Sequence, residues 1–311
     1  MSLALLVPGA GGQVGTDLLD LVRGERNTFA RGLGLDALDV TDPFAVKDMV
    51  STWARLLRSD SPAHELVVVN AAAYTAVDAA ETDEDAAYAV NATAPALLAQ
   101  ACAAAGARLI HLSTDYVFPG DRSAGPPYDV DDPTGPRSAY GRTKLAGEQA
   151  VHALHPAGGY VVRTAWLYGG GLHGPGAGDF VTTMTRLEAE RETLDVVNDQ
   201  RGTPTWSRDL AAGLLALARS EAPPGTYHCT NAGETSWHGF AQAIFAELGA
   251  DAIRVLPTTS EAFLRPARRP AYSVLSHRSW QAADLPPLRH WRRALSAYFS
   301  FRRAVAAGGG Q

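Results

Sequence analysis

Lysine is close to absent from this 311-residue chain: Lys47 and Lys144 are its only two, among 27 residues of Lys and Arg. Cysteine is as scarce. Cys102 and Cys229 are too few and too far apart for a disulfide framework or a zinc site. A basic excess is also missing. The formal net charge of −6 leaves no electrostatic footprint for nucleic acid or an anionic membrane surface. No apolar run approaches membrane-spanning length, and the opening Met-Ser-Leu-Ala-Leu-Leu-Val-Pro-Gly has no positive segment or cleavage pattern of an export signal. These absences lead us to expect a soluble, cytoplasmic protein with no nucleic-acid, membrane or metal partner. With 46% hydrophobic and 19% charged residues, the balance is that of an ordinary globular chain, long enough for one large or two modest domains.

What is present begins with an alternation of strand-like and helix-like segments, which argues for a parallel sheet covered on both faces. Strands are expected at 3–7, 29–35, 65–70, 108–113 and 160–167. Helices are expected at 14–23, 43–57 and 86–105, and across Tyr140 and Lys144. After 168 the alternation breaks at a glycine-rich loop, 169–178. Helices are then expected near 207–219, 237–248 and 290–305, and a frayed tail at the end. The expected fold class is α/β: a Rossmann-like doubly wound parallel sheet with a smaller C-terminal α/β region. Residues 1–168 are assigned to a dinucleotide-binding domain, completed by a returning segment near 205–230, and 169–311 mainly to a substrate-binding region.

Gly9-Ala-Gly-Gly12-Gln13-Val14-Gly15 follows the first expected strand and opens the first helix. In that context glycines permit a tight turn, close backbone approach to a pyrophosphate and close helix–strand packing, and the helix N-terminus meets the phosphates. Asp36, 21 residues beyond Gly15, is placed to accept from ribose hydroxyls. A plain glycine turn beside a surface aspartate is the bland alternative. Asn70-Ala-Ala-Ala-Tyr-Thr75 ends another strand in small side chains, which suit close approach to a cofactor and equally suit simple packing.

Tyr140 and Lys144 form an i,i+4 pair, on one face of a helix. A cation beside a phenol favours the phenolate and lowers a pKa that starts near ~10, so the tyrosine can exchange a proton with a carbonyl or alcohol oxygen. Arginine does not substitute for lysine in that role. With two lysines and ten tyrosines in the chain, chance alone yields such a pair at about 6%, and the neighbouring motifs decide. Ser113 and Thr114 end the strand before this helix, where an open parallel sheet binds ligands. Strand-end capping is the alternative for these two hydroxyls.

Taken together, Gly-x-x-Gly-x-x-Gly, Thr114 and Tyr140-x-x-x-Lys144 resemble the extended short-chain dehydrogenases/reductases. Finer blocks resemble the dTDP-4-dehydrorhamnose reductases. They are Asn70-Ala-Ala-Ala-Tyr-Thr-Ala-Val-Asp78, Leu112-Ser-Thr-Asp-Tyr-Val-Phe-Pro-Gly120, Tyr140-Gly-Arg-Thr-Lys-Leu-Ala-Gly-Glu148, Arg163-Thr-Ala-Trp166 and Asn198-Asp-Gln-Arg-Gly-Thr-Pro-Thr205, with Thr235-Ser-Trp237 and Arg269-Pro-Ala-Tyr-Ser-Val-Leu275 downstream. The resemblance implies reduction of the 4-keto group of dTDP-4-dehydro-L-rhamnose by NADPH or NADH. By similarity Gly9, Gly12, Gln13, Val14, Gly15, Asp36, Asp39, Val40, Ala72, Ala73 and Tyr74 line the cofactor, with Tyr140 and Lys144 on its ribose. Thr114, Tyr140 and Lys144 are the catalytic set. Thr114, Asp115 and Trp166 contact the sugar nucleotide, with Gln200, Thr203 and Arg269 at its nucleotide end. A core-packing role is the alternative for Trp166.

The chain departs from the family pattern in places. Pro8 replaces the usual small or aromatic residue, and 33–39 is about two residues short. Some relatives form magnesium-linked dimers through glutamates. Thr16-Asp17 stand after Gly15 here, so no metal site is assigned and Mg2+ stays an implication of the resemblance alone. A monomer or homodimer is expected. Rivals are an epimerase or ketoreductase for another nucleotide deoxysugar, and a non-catalytic regulatory subunit, against which the intact Thr114, Tyr140 and Lys144 argue.

Overall fold

The computed structural model describes residues 2–61, 64–122, 125–169 and 178–308. The apolar run of β1 (Ser2–Pro8) is buried along almost its whole length, as a central parallel strand must be. Its alternation feeds two cores. Leu3, Leu5 and Val7 enter one cluster, and Ala4 and Leu6 enter the other. From there the chain runs through α1 (Gln13–Val22), β2 (Thr28–Leu33), α2 (Pro43–Asp60) and β3 (His64–Asn70). The carboxylate of Asp42 caps α2 by accepting from the amides of Phe44 and Ala45.

The expected helix over 86–105 begins earlier and is not uniform. It comprises α3 (Glu84–Tyr88), a π-turn at Ala89–Thr93 and α4 (Ala94–Ala105). Pro95 has no amide hydrogen to return to the carbonyl of Asn91, so the regular ladder is broken there. Next come β4 (Arg108–Thr114), α5 (Ala139–Leu154), capped by the Ser138 hydroxyl, and β5 (Gly159–Thr164). The strand expected to reach Leu167 therefore stops at Thr164. Trp166 adopts φ +47°, a left-handed conformation that ends an extended run, and β6 (Leu167–Tyr168) is a separate piece. The glycine-rich loop expected at 169–178 and the end of the tail fall largely outside the described residues.

The second half contains α6 (Phe180–Glu190), β7 (Leu194–Val197), β8 (Arg201–Gly202), β9 (Thr205–Trp206) and α7 (Ser207–Ala218). It continues with β10 (Gly225–His228), β11 (Thr235–Ser236), α8 (Trp237–Glu247), β12 (Val255–Thr258), α9 (Arg278–Ala282) and α10 (Trp291–Gly308). The main sheet has six parallel strands in the order β2-β1-β3-β4-β5-β10. Small two-stranded pairs, β8 with β11, β7 with β12 and β6 with β9, sit in the C-terminal part. A third core there gathers Tyr168, Phe240, Ile244, Leu295 and Tyr298. The fold is thus doubly wound α/β with a smaller C-terminal region. The strand order reverses between β1 and β3, and the crevice at their carboxyl ends is where such sheets take ligands.

Candidate active site

The glycine loop lies in that crevice. Gly9 has φ +80°, and a Cβ there would stand 2.4 Å from the amide nitrogen of Ala72, so only glycine fits. The amide of Gly9 donates to the Leu33 carbonyl (3.0 Å) and that of Ala71 to the Pro8 carbonyl (3.0 Å), tying three strand ends together. α1 is preceded by Gly12, which offers no side-chain cap, and has no acidic residue in its first turn. Its leading amides are left for an anionic ligand. Gln13 adds a buried Oε1 with no hydrogen-bond partner among the described residues. A free helix terminus and a glycine cradle fit a dinucleotide pyrophosphate, and the Gln13 oxygen, an acceptor, is open to a hydroxyl or amide donor.

Other cofactor candidates are placed unevenly. Ala72 is held by the Asn70 Oδ1 (3.1 Å), and both backbone groups of Tyr74 are gripped by the Asn91 side chain (3.0 and 3.1 Å). Asp36 is exposed in the turn after β2, which ends at Leu33. Asp39 accepts from the Thr41 amide and hydroxyl (2.9 and 2.7 Å), and these bonds hold its carboxyl below the usual range. Val40 is buried in the core beside Leu38.

Thr114 closes β4; its hydroxyl donates to Asp115 Oδ1 (3.0 Å), accepts from the Tyr116 amide (3.2 Å) and lies close enough to the Tyr140 phenol to act on its pKa. The ring of Tyr116 meets Tyr140 edge-on at 5.7 Å. One turn along α5, the buried Lys144 ammonium donates to the Leu112 carbonyl at 2.6 Å. Thr114, Tyr140 and Lys144 are therefore gathered at the carboxyl end of β4. The expected lowering of the Tyr140 pKa is corrected: burial pushes it up to about 12, against the Thr114 hydrogen bond and with help from the Asp115 charge. Desolvation outweighs any pull from Lys144, whose own pKa burial pushes down to about 8, partly offset by Glu148. Burial also pushes the Asp115 carboxyl up to about 6.

Beside this cluster opens a cleft of about 910 Å³, lined by Tyr116, α6, β7, Gln200, Trp237 and the arginines Arg191, Arg265 and Arg269. That size suits a large polar small molecule. The three arginines outnumber the two aspartates of the lining, Asp179 and Asp195, in a chain of net charge −6, and this local excess suits an anionic ligand. Gln200 and Arg269 are thus on the cleft wall. Thr203 is not: it is 1% exposed and its hydroxyl donates to the Gly233 carbonyl (2.9 Å). Trp166 stacks on Trp237 at 3.5 Å and 5°, and a Cβ on Gly202 would lie 2.4 Å from its ring. Sequence reading missed Tyr116, Asn91 and the two arginines Arg191 and Arg265. It also passed over Glu148, although the i,i+4 row from Tyr140 through Lys144 leads straight to it. Among the described residues no cluster of His, Cys, Asp and Glu is arranged to hold a metal.

A family model described as the RmlD substrate binding domain matches residues 3–303. A dTDP-4-dehydrorhamnose reductase of Streptomyces griseus is 52% identical over 94% of this chain and 92% of its own length. A probable dTDP-4,6-dihydroxy-2-methyloxan-3-one 4-ketoreductase of Streptomyces antibioticus is 50% identical over 94% of each chain. The crystal structure of dTDP-4-dehydrorhamnose reductase from Bacillus anthracis in complex with NADP superposes with a TM-score of 0.86 at 35% identity, covering 96% of this chain and 99% of that one. Sequence blocks, sheet order and relatives agree, and the chain belongs to the dTDP-4-dehydrorhamnose reductase family of oxidoreductases.

Proposed function

We propose that the chain reduces the 4-keto group of dTDP-4-dehydro-L-rhamnose to the alcohol of dTDP-L-rhamnose at the expense of NADPH or NADH. The observation that carries this reading is the convergence of Thr114, Tyr140 and Lys144 between the β1–β3 crevice and the arginine-lined cleft. A nicotinamide dinucleotide seated on the glycine loop supplies the hydride. Gly9, Gly12, Gln13, Val14 and Gly15 hold its pyrophosphate, Asp36 and Asp39 lie toward its adenosine ribose, and Ala72, Ala73 and Tyr74 border its middle. The substrate oxygen sits against the Thr114 hydroxyl and the Tyr140 phenol. As the carbonyl carbon becomes tetrahedral, Tyr140 gives its proton to that oxygen, and Thr114 holds the oxygen in place. Lys144 supports the phenolate left behind. Asp115 and Trp166 position the sugar, and Gln200 and Arg269 the nucleotide. In this reading residues 1–168, joined by β10, form the cofactor half, and 169–311 form most of the substrate half.

A second reading, a 4-ketoreductase for a different dTDP-deoxysugar, is favoured by the 50% identity to the Streptomyces antibioticus relative. Absorbance of NADPH and NADH, followed with dTDP-4-dehydrorhamnose and with other dTDP-4-keto-6-deoxysugars, separates the two. Rapid oxidation with dTDP-4-dehydrorhamnose, yielding a product that chromatographs as dTDP-L-rhamnose, is expected. Oxidation only with another keto-sugar establishes the second reading. Cofactor that copurifies with the protein and is not consumed would contradict both and indicate an epimerase.

A further inference from the structure

We propose that Glu148 is a positioning residue of this site: its buried carboxylate clamps the end of β4 that carries Thr114 and is the counter-charge for Lys144 one turn away on the same helix row. The consequence for catalysis rests on the reductase reading above, but the geometry and its test do not. Tyr140, Lys144 and Glu148 stand four residues apart in succession on α5, hence in one row along the helix. Glu148 is 2% exposed. The Ser113 hydroxyl donates to its Oε1 at 2.5 Å. Arg163 forks onto it, donating from Nε to Oε1 at 3.0 Å and from Nη2 to Oε2 at 2.7 Å. Ser113 and Arg163 are register partners across β4 and β5. One carboxylate therefore joins α5, β4 and β5 one residue short of Thr114.

This arrangement separates two neighbouring hydroxyls that the sequence leaves equivalent. Ser113 is committed to Glu148, while Thr114 is the one beside Tyr140. It also offsets part of the buried positive charge. Two cations, Lys144 and Arg163, are each at least nine-tenths buried here, and a buried cation without an anion is costly. The groups acting on Lys144 are Glu148, with Tyr140 one turn the other way on α5, and His111 and the Leu112 carbonyl from β4, while His152 and Arg163 act on Glu148. His111 and His152 are both held toward the neutral form, chiefly by burial. Asp115, the other buried carboxyl nearby, acts on Tyr140. Glu148 is the anion that opposes the loss of the Lys144 proton. Without it, burial would drain the ammonium of its proton at ordinary pH.

The scarcity of lysine makes the test direct. Protein labelled with 13C at the lysine ε-carbon gives two signals, one from Lys144 and one from the exposed Lys47, which serves as an internal reference. No substrate or cofactor is needed, so the outcome stands apart from the reductase assay. In Glu148→Gln the Lys144 midpoint is expected about one pH unit below that of the wild type, with Lys47 unmoved, and Glu148→Asp should restore most of the difference. Should Glu148→Gln fail to fold because it strands the Arg163 guanidinium, Glu148→Gln/Arg163→Gln is compared with Arg163→Gln, so that only the Glu148 charge differs, and its midpoint should be the lower of the two. A Lys144 midpoint that does not fall when the Glu148 charge alone is removed, against wild type or against Arg163→Gln, overturns the proposal. In turnover the pH profile of kcat should move with the Lys144 midpoint. A uniform fall in kcat at every pH would make Glu148 a structural residue only.

Discussion

Asp115 stands one residue beyond Thr114 with 2% of its surface exposed. Its Oδ1 accepts from Thr114, while Oδ2 has no hydrogen-bond partner among the described residues. Its pKa rises from 3.8 in an ordinary setting to about 6, with burial as the largest cause. The folded chain therefore holds the extra proton between those values. The native state is favoured below about pH 4 and loses that favour as pH climbs through 6. Asp115→Asn should accordingly raise Tm at pH 7, by on the order of 1–3 kcal/mol of stability, and give no gain at pH 4. Calorimetry at the two pH values checks this, and a Tm that drops at both would mean the ionised carboxylate stabilises the fold. At this scale Thr114, Tyr140 and Lys144 were legible because a lysine in so lysine-poor a chain stands out. The sign of the Tyr140 shift was not legible, since sequence shows the neighbouring charge but not the desolvation that exceeds it.

Between elements, the tightest approach in this site is between α5 and the π-turn before α4. A Cβ on Gly147 would lie 2.1 Å from the Asn91 carbonyl oxygen. That carbonyl is the one Pro95 leaves without its regular donor. Alanine in a helix interior normally gains about 1 kcal/mol over glycine. Here the obstacle is backbone, which cannot swing aside, and overpacking of this kind costs about 1–3 kcal/mol. Gly147→Ala should therefore lower Tm, as thermal unfolding would show, and an unchanged or higher Tm would mean that α5 slides away freely. Helix boundaries such as Pro43 and Ser207 were readable from proline and polar starts. The break after β5 was not. An apolar run through Leu167 reads as one strand, but Trp166 takes φ +47° and stacks on Trp237, about seventy residues away. Only the tertiary partner explains the turn.

Across the whole molecule, the βαβ rhythm of the first half made the parallel sheet visible in the sequence, and the glycine loop located its ligand end. The C-terminal pairs of two-residue strands left no comparable pattern, because strands that short carry no periodicity. The two parts of the chain meet near the cleft through Asp78. Its Oδ2 accepts from Arg269 Nη2 (2.9 Å) and its Oδ1 from the Ala267 amide (3.2 Å). Both ion-pair partners are partly solvated, at 22% and 30% exposure, so the pair is worth at most about 1 kcal/mol. Its use is to hold Arg269 on the cleft wall. Asp78→Ala should leave Tm nearly unchanged and raise the KM for the sugar nucleotide severalfold, with the KM for NADPH constant. Steady-state kinetics would oppose this account if both KM values rose together.

The central claim is that the Tyr140 phenol donates the proton, and single-turnover reduction of dTDP-4-dehydrorhamnose by Tyr140→Phe tests it most directly. The dissociation constant for NADPH, measured by fluorescence on the same protein, should change little. The rate of NADPH oxidation should fall by on the order of 10²–10⁴. A rate within about tenfold of the wild type, with cofactor bound as before, would contradict the account and assign the proton to another group.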